Sequence, residues 1–251
     1  MREKVRSLAP ALLALLLLLL LLPPVGVPVV EAQEPTGRRV GDDGQIPTPA
    51  HRARYVVAAV GDSLTDVRSH GGRFLTYLQA RCPESRFDNY GKGGDMVNQM
   101  RRRFAANVLA AGKPRYTHVI VFGGVNDLYS DLTAKRTPEK IERDLSTMYA
   151  QARERGIRVI AMTVAPWGGF TRYYNAGRGA NTLLVNRWIH DQKTGGEVDF
   201  VIDAYALLSC GDAERLCPQY SAPFKDGLHF NALGHSRLGE ALYAQVFRNC
   251  R

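Results

Sequence analysis

The stretch YVVAAVGDSLTD, residues 55–66, opens the folded part of the chain. Residues 55–60 are an unbroken apolar, largely β-branched run, the composition of a strand buried on both faces. A glycine, an acid and a hydroxyl follow at once: Gly61, Asp62 and Ser63. A polar cluster straight after a buried strand is either a solvated turn or a reactive group held at the strand's carboxyl end. The pattern of the remaining chain separates the two.

That pattern alternates. Apolar strand-like runs recur at 86–91, 117–124, 157–166 and 198–205. Between and after them, helical spacing is read at 72–82, 96–112, 137–156, 180–195 and 231–249. Thr137 and Pro138 mark one helix start, with proline at the first helical position, and Glu139 puts a negative charge in the first turn. Gly112 and Gly156 mark stops. Strand–helix alternation predicts right-handed βαβ units, hence an α/β fold with a five-stranded, mainly parallel sheet covered on both faces. No internal repeat interrupts it, so residues 55–251 are read as one domain.

Residues 1–32 are read apart from this domain. A short basic start, an apolar run ended by prolines and small residues around Ala32 have the layout of a secretory signal peptide. The alternative is an uncleaved anchor helix, but the unbroken leucine run from Leu15 to Leu22 is shorter than the roughly 20 residues that span a bilayer. Residues 33–54, polar and rich in glycine and proline, read as a flexible linker. The expected location is therefore secreted or periplasmic, with no stable membrane insertion after cleavage.

The formal net charge of +9 makes nucleic acid a partner to consider. Yet the arginines are scattered, the densest cluster is Arg101–Arg102–Arg103, and no nucleic-acid-binding motif appears. A basic surface suits an acidic polysaccharide or an anionic membrane surface equally well. Cys82, Cys210, Cys217 and Cys250 form an even set, which in an exported chain reads as disulfides. None lies in a CxxC pair or beside a histidine ligand pattern, so no metal site is expected.

In an open parallel sheet, ligands bind outside the carboxyl ends of the strands. The first strand delivers Gly61–Asp62–Ser63 there, the second NYGKGGD (89–95), the third GGVND (123–127), and the long loop after the last strand KDGLHF (225–230). Together they hold the parts that acyl transfer requires. Ser63 is the candidate nucleophile and His229 the candidate base. Asp226, three residues earlier, emerges on the same side if the segment is a helical turn. Asn126 offers an amide to an oxyanion, and Gly94 offers a backbone N–H that no side chain obstructs. Asp62 and Asp127 are read as hydrogen-bonding residues that shape the turns.

These four blocks, in this order, resemble those of the GDSL, or SGNH, hydrolase family: GDSL at 61–64, NYGKGG at 89–94, GGVND at 123–127 and DGLH at 226–229. The likeness covers residues 55 to about 248. It implies a flavodoxin-like three-layer sandwich and ester hydrolysis through Ser63. It also implies an oxyanion hole of the Ser63 and Gly94 N–H groups and the Asn126 amide, and no cofactor. One departure is Lys92–Gly93, where a small hydroxyl residue often precedes the glycine. The arrangement is not the GxSxG elbow, because Ser63 lacks a glycine two residues on.

Five other histidines, His51, His70, His118, His190 and His235, are read as surface or packing residues. The insert at 166–179 carries Trp167, Phe170, Tyr173 and Tyr174 among four glycines. It is read either as a substrate-binding loop for sugar rings or acyl chains, or as rings packed on the sheet top. Cys210 and Cys217 are close enough in sequence to close a local ring. In a flavodoxin-like topology the first and last helices share a face, which brings Cys82 and Cys250 together. The expected function is an exported serine esterase acting on an acetylated polysaccharide. A lipid or lysophospholipid esterase, or a binding module without turnover, are the alternatives.

Overall fold

The structure, a computed structural model, describes residues 52–251. The expected signal peptide and nearly all of the linker lie outside the described residues. Five parallel strands form one sheet in the order β2-β1-β3-β4-β5: β1 Val56–Gly61, β2 Arg86–Gly91, β3 His118–Phe122, β4 Arg158–Met162 and β5 Phe200–Ile202. This is the flavodoxin-like order, with the switch point between β1 and β3. The chain turns outward in opposite directions from these two neighbouring strands, which leaves a crevice at their carboxyl ends.

Side-chain alternation along the strands feeds two cores. Ala58 and Val60 face a layer made by α2 (Val97–Phe104), α4 (Pro138–Arg153) and α5 (Ala176–Thr194). Val57 and Ala59 face α1 (Arg73–Arg81) and α8 (Ala232–Leu242). Every residue of β3 is buried, as a central strand covered on both faces requires. The short α3 (Val125–Tyr129) follows β3 directly.

Helix and strand ends depart from the sequence reading where local chemistry overrides periodicity. The helix read over 96–112 ends at Phe104 and continues as a π-helical turn, Ala105–Leu109. The helix read over 231–249 ends at Leu242, with a second such turn at Tyr243–Phe247. Helix α5 starts at Ala176, inside the segment read as an insert, because Asn175 caps it by accepting from the Arg178 N–H. The strand read over 198–205 stops at Ile202: Asp203 caps a short helix, α6 (Ala204–Leu208), by accepting from Ala206 N. A small hairpin, β6 (Ser209–Cys210) with β7 (Asp212–Leu216), and α7 (Pro218–Ser221) follow.

Helices α1 and α8 pack side by side, and the Cys82–Cys250 disulfide joins the end of α1 to the C-terminal segment after the Tyr243–Phe247 turn. The Cys210–Cys217 disulfide closes the β6–β7 hairpin. Ala53 pairs with the C-terminus, its N–H donating to the Asn249 carbonyl, so backbone pairing begins two residues before Tyr55. Among the described residues no helix is long and apolar enough to cross a membrane.

Candidate active site

Ser63 sits in the turn that leaves β1. The Asp62 carbonyl accepts from the Thr65 and Asp66 N–H groups, and Asp62 Oδ1 accepts from Leu64 N at 2.9 Å. This tight turn lifts Ser63 out of the sheet into a cavity of about 420 Å³. His229 Nε2 lies 2.9 Å from Ser63 Oγ, and His229 Nδ1 lies 2.6 Å from Asp226 Oδ2. A carboxylate only accepts, so the neutral ring carries its proton on Nδ1 and Nε2 accepts from the serine hydroxyl.

The condition of a helical turn is not met at Asp226 and His229. They share a bend in which Asp226 Oδ1 accepts from the Leu228 and His229 N–H groups while Oδ2 holds the imidazole. Gly227 makes the bend with φ +77°, and it approaches Gly169 so closely that a Cβ would lie 2.0 Å from the Gly169 carbonyl carbon. Partial burial pushes the Asp226 carboxyl up. The hydrogen bonds from the His229 ring and the two N–H groups outweigh it and hold the acid below the usual carboxylate range.

The three residues expected to supply oxyanion donors gather at one cavity. Among the described residues, the Ser63 and Gly94 N–H groups donate to no protein acceptor. Gly94 has φ +79°, a backbone state that glycine adopts without strain. Asn126 Nδ2 donates one hydrogen to the Asp95 carbonyl at 2.9 Å, and its second hydrogen is not used by any described acceptor. Ser63, Gly94, Asn126 and His229 all line the same cavity.

The Lys92–Gly93 departure has a local explanation. A Cβ on Gly93 would lie 2.8 Å from Ser69 Oγ, so a hydroxyl reaches this spot from a different segment. Gly93 N donates to Asp66 Oδ2 at 2.9 Å, which fixes the peptide before Gly94. Hydrogen bonds from Arg68 hold Asp66 down to about 2, against partial burial and with help from the Gly93 and Arg68 N–H groups.

Asp62 and Asp127 are more than turn-shaping residues. Asp62 is wholly buried, and its Oδ2 has no described partner. Burial pushes its carboxyl up to about 7, opposed by the Leu64 N–H and reinforced by the nearby Asp127 and Asp95. Asp127 is also pushed up by burial, against the Val97 N–H and Arg136. Its Oδ2 accepts from Val97 N at 2.8 Å and its Oδ1 from Arg136 Nε at 2.6 Å, so it ties the α3 turn to the start of α2.

The aromatic insert divides. Phe170 lines the cavity. Trp167 does not: it is fully buried, with Nε1 donating to Thr182 Oγ1 at 2.9 Å, so the substrate-binding reading is corrected for this ring. Tyr174 packs edge-on against Trp167, and Tyr173 packs against Tyr129 and Phe170 behind the cavity wall. Neither lines the cavity. The walls that the sequence did not reveal are Ser69, His70, Tyr129, Phe224 and Leu228. His70, exposed on its loop as the sequence reading expected, also lines this cavity. Spacing carries no signal for Ser69, His70 and Phe224, which only the fold brings to this rim, while Tyr129 and Leu228 sit beside the blocks that hold Asn126 and His229.

Of the remaining histidines, His118 and His235 are packing residues that burial pushes down to about 4 and about 3. His190 lies 3.2 Å from Asp203, and His51 is outside the described residues. No cluster of acidic, histidine or cysteine side chains able to hold a metal occurs among the described residues.

Comparison with known proteins agrees with this architecture. Among solved structures, a GDSL-like lipase from Bacteroides thetaiotaomicron superposes with TM-score 0.64 at 21% identity, over 77% of this chain and 88% of that one. The lipase/acylhydrolase of Enterococcus faecalis gives TM-score 0.64 at 19% identity, over 78% and 97%. A catalytic mutant of an acetylxylan esterase from Geobacillus stearothermophilus gives 0.61 at 17%, over 80% and 99%. At these identities the likeness is one of fold. No sequence among the curated proteins matches this chain. The model of the GDSL-like lipase/acylhydrolase family matches residues 59–237, which span every block of the site. The chain belongs to the GDSL-like lipase/acylhydrolase family of carboxylic ester hydrolases.

Proposed function

We propose that this protein is an exported serine esterase that removes acetyl groups from a polysaccharide through an acyl-enzyme. The observation that carries the mechanism is the hydrogen-bonded chain Ser63 Oγ–His229 Nε2 at 2.9 Å and His229 Nδ1–Asp226 Oδ2 at 2.6 Å. Ser63 attacks the ester carbonyl as His229 takes its proton. Asp226 orients the ring and stabilises the imidazolium. The Ser63 and Gly94 N–H groups and the Asn126 amide receive the developing oxyanion. His229 then gives its proton to the leaving alcohol, and water, activated by the same imidazole, releases the acid. Every bond made or broken is served by these residues, so the chemistry calls for no cofactor.

Export is supported by the apolar leader and by two disulfides, which persist in oxidising compartments. The acetyl-glycan reading is supported by the open cavity and by fold relatives described as acetyl xylan esterases. The apolar walls Tyr129, Phe170, Phe224 and Leu228 favour a second reading, a lipid ester. The test is acetate release from acetylated glycans beside fatty-acid release from a lysophospholipid, with fluorophosphonate labelling in parallel. Ser63→Ala is expected to lose turnover and labelling while keeping its melting temperature. Normal turnover by that variant would overturn the mechanism, and labelling without turnover on any ester would favour a binding module.

A further inference from the structure

A second cavity, of about 280 Å³, adjoins the first. The two share two residues, His70 and Phe224. Their rings pack on each other at 5.8 Å, and the Phe224 ring also lies 6.2 Å from that of His229. The wall is conformationally specified. His70 has φ +61° and Lys225, directly after Phe224, has φ +51°, a region that side-chain-bearing residues adopt rarely and that costs energy.

The chemistry assigns a side to this cavity. In the mechanism above, on which the inference rests, the imidazolium must reach the oxygen of the departing alcohol. The carbonyl oxygen meanwhile points at Gly94 and Asn126. The alcohol part therefore lies on the His229 side, where Phe224 and the second cavity are. The far wall of that cavity includes Phe230 and Asn231, and it holds one permanent charge, Arg73. Arg73 is exposed and has no acidic partner among the described residues, and no carboxylate lines the cavity. A volume of about 280 Å³ fits a fragment, below or near the roughly 300–1,000 Å³ of pockets for drug-sized ligands.

We propose that the second cavity is the subsite for the alcohol part of the ester, and that Arg73 selects an alcohol bearing a carboxylate, such as an acetylated uronic acid residue. The guanidinium forms a paired, charge-assisted hydrogen bond with a planar carboxylate. The His70–Phe224 wall supplies the apolar face beside it. The substrate polymer would then be acidic, in keeping with a chain of net charge +9.

The test compares kcat/KM for mono-O-acetylated methyl galacturonoside and the matching neutral methyl galactoside. The wild type is expected to favour the uronate by roughly five- to tenfold, the scale of one partly exposed charged contact. Arg73→Gln should bring the ratio close to one, Arg73→Lys should keep only the part owed to charge, and added salt should shrink it. Calorimetry of the deacetylated methyl galacturonoside with Ser63→Ala, with and without Arg73→Gln, reads binding apart from turnover. A wild-type ratio near one, or a ratio unchanged by Arg73→Gln in a variant of normal melting temperature, overturns the proposal. Ser63-dependent hydrolysis of p-nitrophenyl acetate without release from either sugar overturns the subsite and leaves the esterase reading standing. Loss of that hydrolysis as well overturns both.

Discussion

Replacing Asp62 with asparagine should remove a pH dependence built into the turn beside Ser63. Asp62 is wholly buried, and its carboxyl is raised from an ordinary 3.8 to about 7, first by burial and then by Asp127 and Asp95, against the Leu64 N–H. The native state thus binds this proton more tightly than the unfolded chain does. The resulting stabilisation is complete below about pH 4 and is lost as pH rises through 7. At 1.36 kcal/mol per pH unit, the full effect is about 4 kcal/mol, and the part lost between pH 5 and 8 is about 2.5 kcal/mol. For a domain of this size that corresponds to roughly 5–10 °C in melting temperature. Asparagine keeps the Oδ1 that accepts from Leu64 N and cannot ionise. Thermal unfolding of both proteins at pH 5, 6, 7 and 8 isolates the group by difference. The asparagine variant should gain on the wild type as pH rises. The same titration places a negative charge one residue from Ser63, so an alkaline fall in kcat should appear in the wild type and vanish in the variant. Melting curves that stay parallel across this range, within about 1 °C, would refute the reasoning.

Four further outcomes are expected. Asn126→Ala should lower kcat by roughly 10²–10³ with a smaller change in KM, measured by steady-state kinetics, as for loss of an oxyanion donor. Arg136→Met should destabilise the fold by about 3–5 kcal/mol in urea unfolding, because it leaves Asp127 and Asp144 buried without their shared cation. Removing the Cys82–Cys250 link by a double alanine change should lower stability by up to about 5 kcal/mol, since it closes a segment of 168 residues. The same change at Cys210–Cys217, seven apart, should cost about half as much.

The legible parts of this molecule are those that local sequence encodes. Residues 55–60 and 117–124 are runs whose composition admits little besides a central strand, and β1 and β3 lie there. Ser63, Gly94, Asn126 and His229 are legible because each follows an element end, where the parallel topology gathers them at one rim. Phe224 and His70 are not legible, since their role depends on two loops, 154 residues apart in polar sequence, meeting at the cavity. Trp167 misleads for the opposite reason. An aromatic in a glycine-rich loop reads as exposed, but Gly168 and Gly169 let the loop press against the Glu214 and Gly227 backbones, and Trp167 beside them is buried.

The arginine triplet 101–103, the densest basic cluster of the sequence, shows why a run of charge is not by itself a binding surface. In the fold, Arg103 turns inward and donates to Asp95 Oδ2 at 2.6 Å, the Tyr90 carbonyl at 2.6 Å and the Gly61 carbonyl at 2.8 Å. It thereby clamps the carboxyl ends of β1 and β2 to the residue that follows Gly94. Arg101 pairs with Asp144, which also receives Arg136, and Arg136 in turn holds Asp127 next to Asn126. Only Arg102 is left without an acidic partner among the described residues. These buried charges add little net stability, because desolvation offsets much of their attraction. Their effect is geometric. The Asp95 carbonyl accepts from Asn126, so one network fixes Gly94 through its neighbour and Asn126 through its amide. In the proposed mechanism, donors held this way need no reorganisation as negative charge develops on the substrate, which is the condition under which an oxyanion hole lowers a barrier.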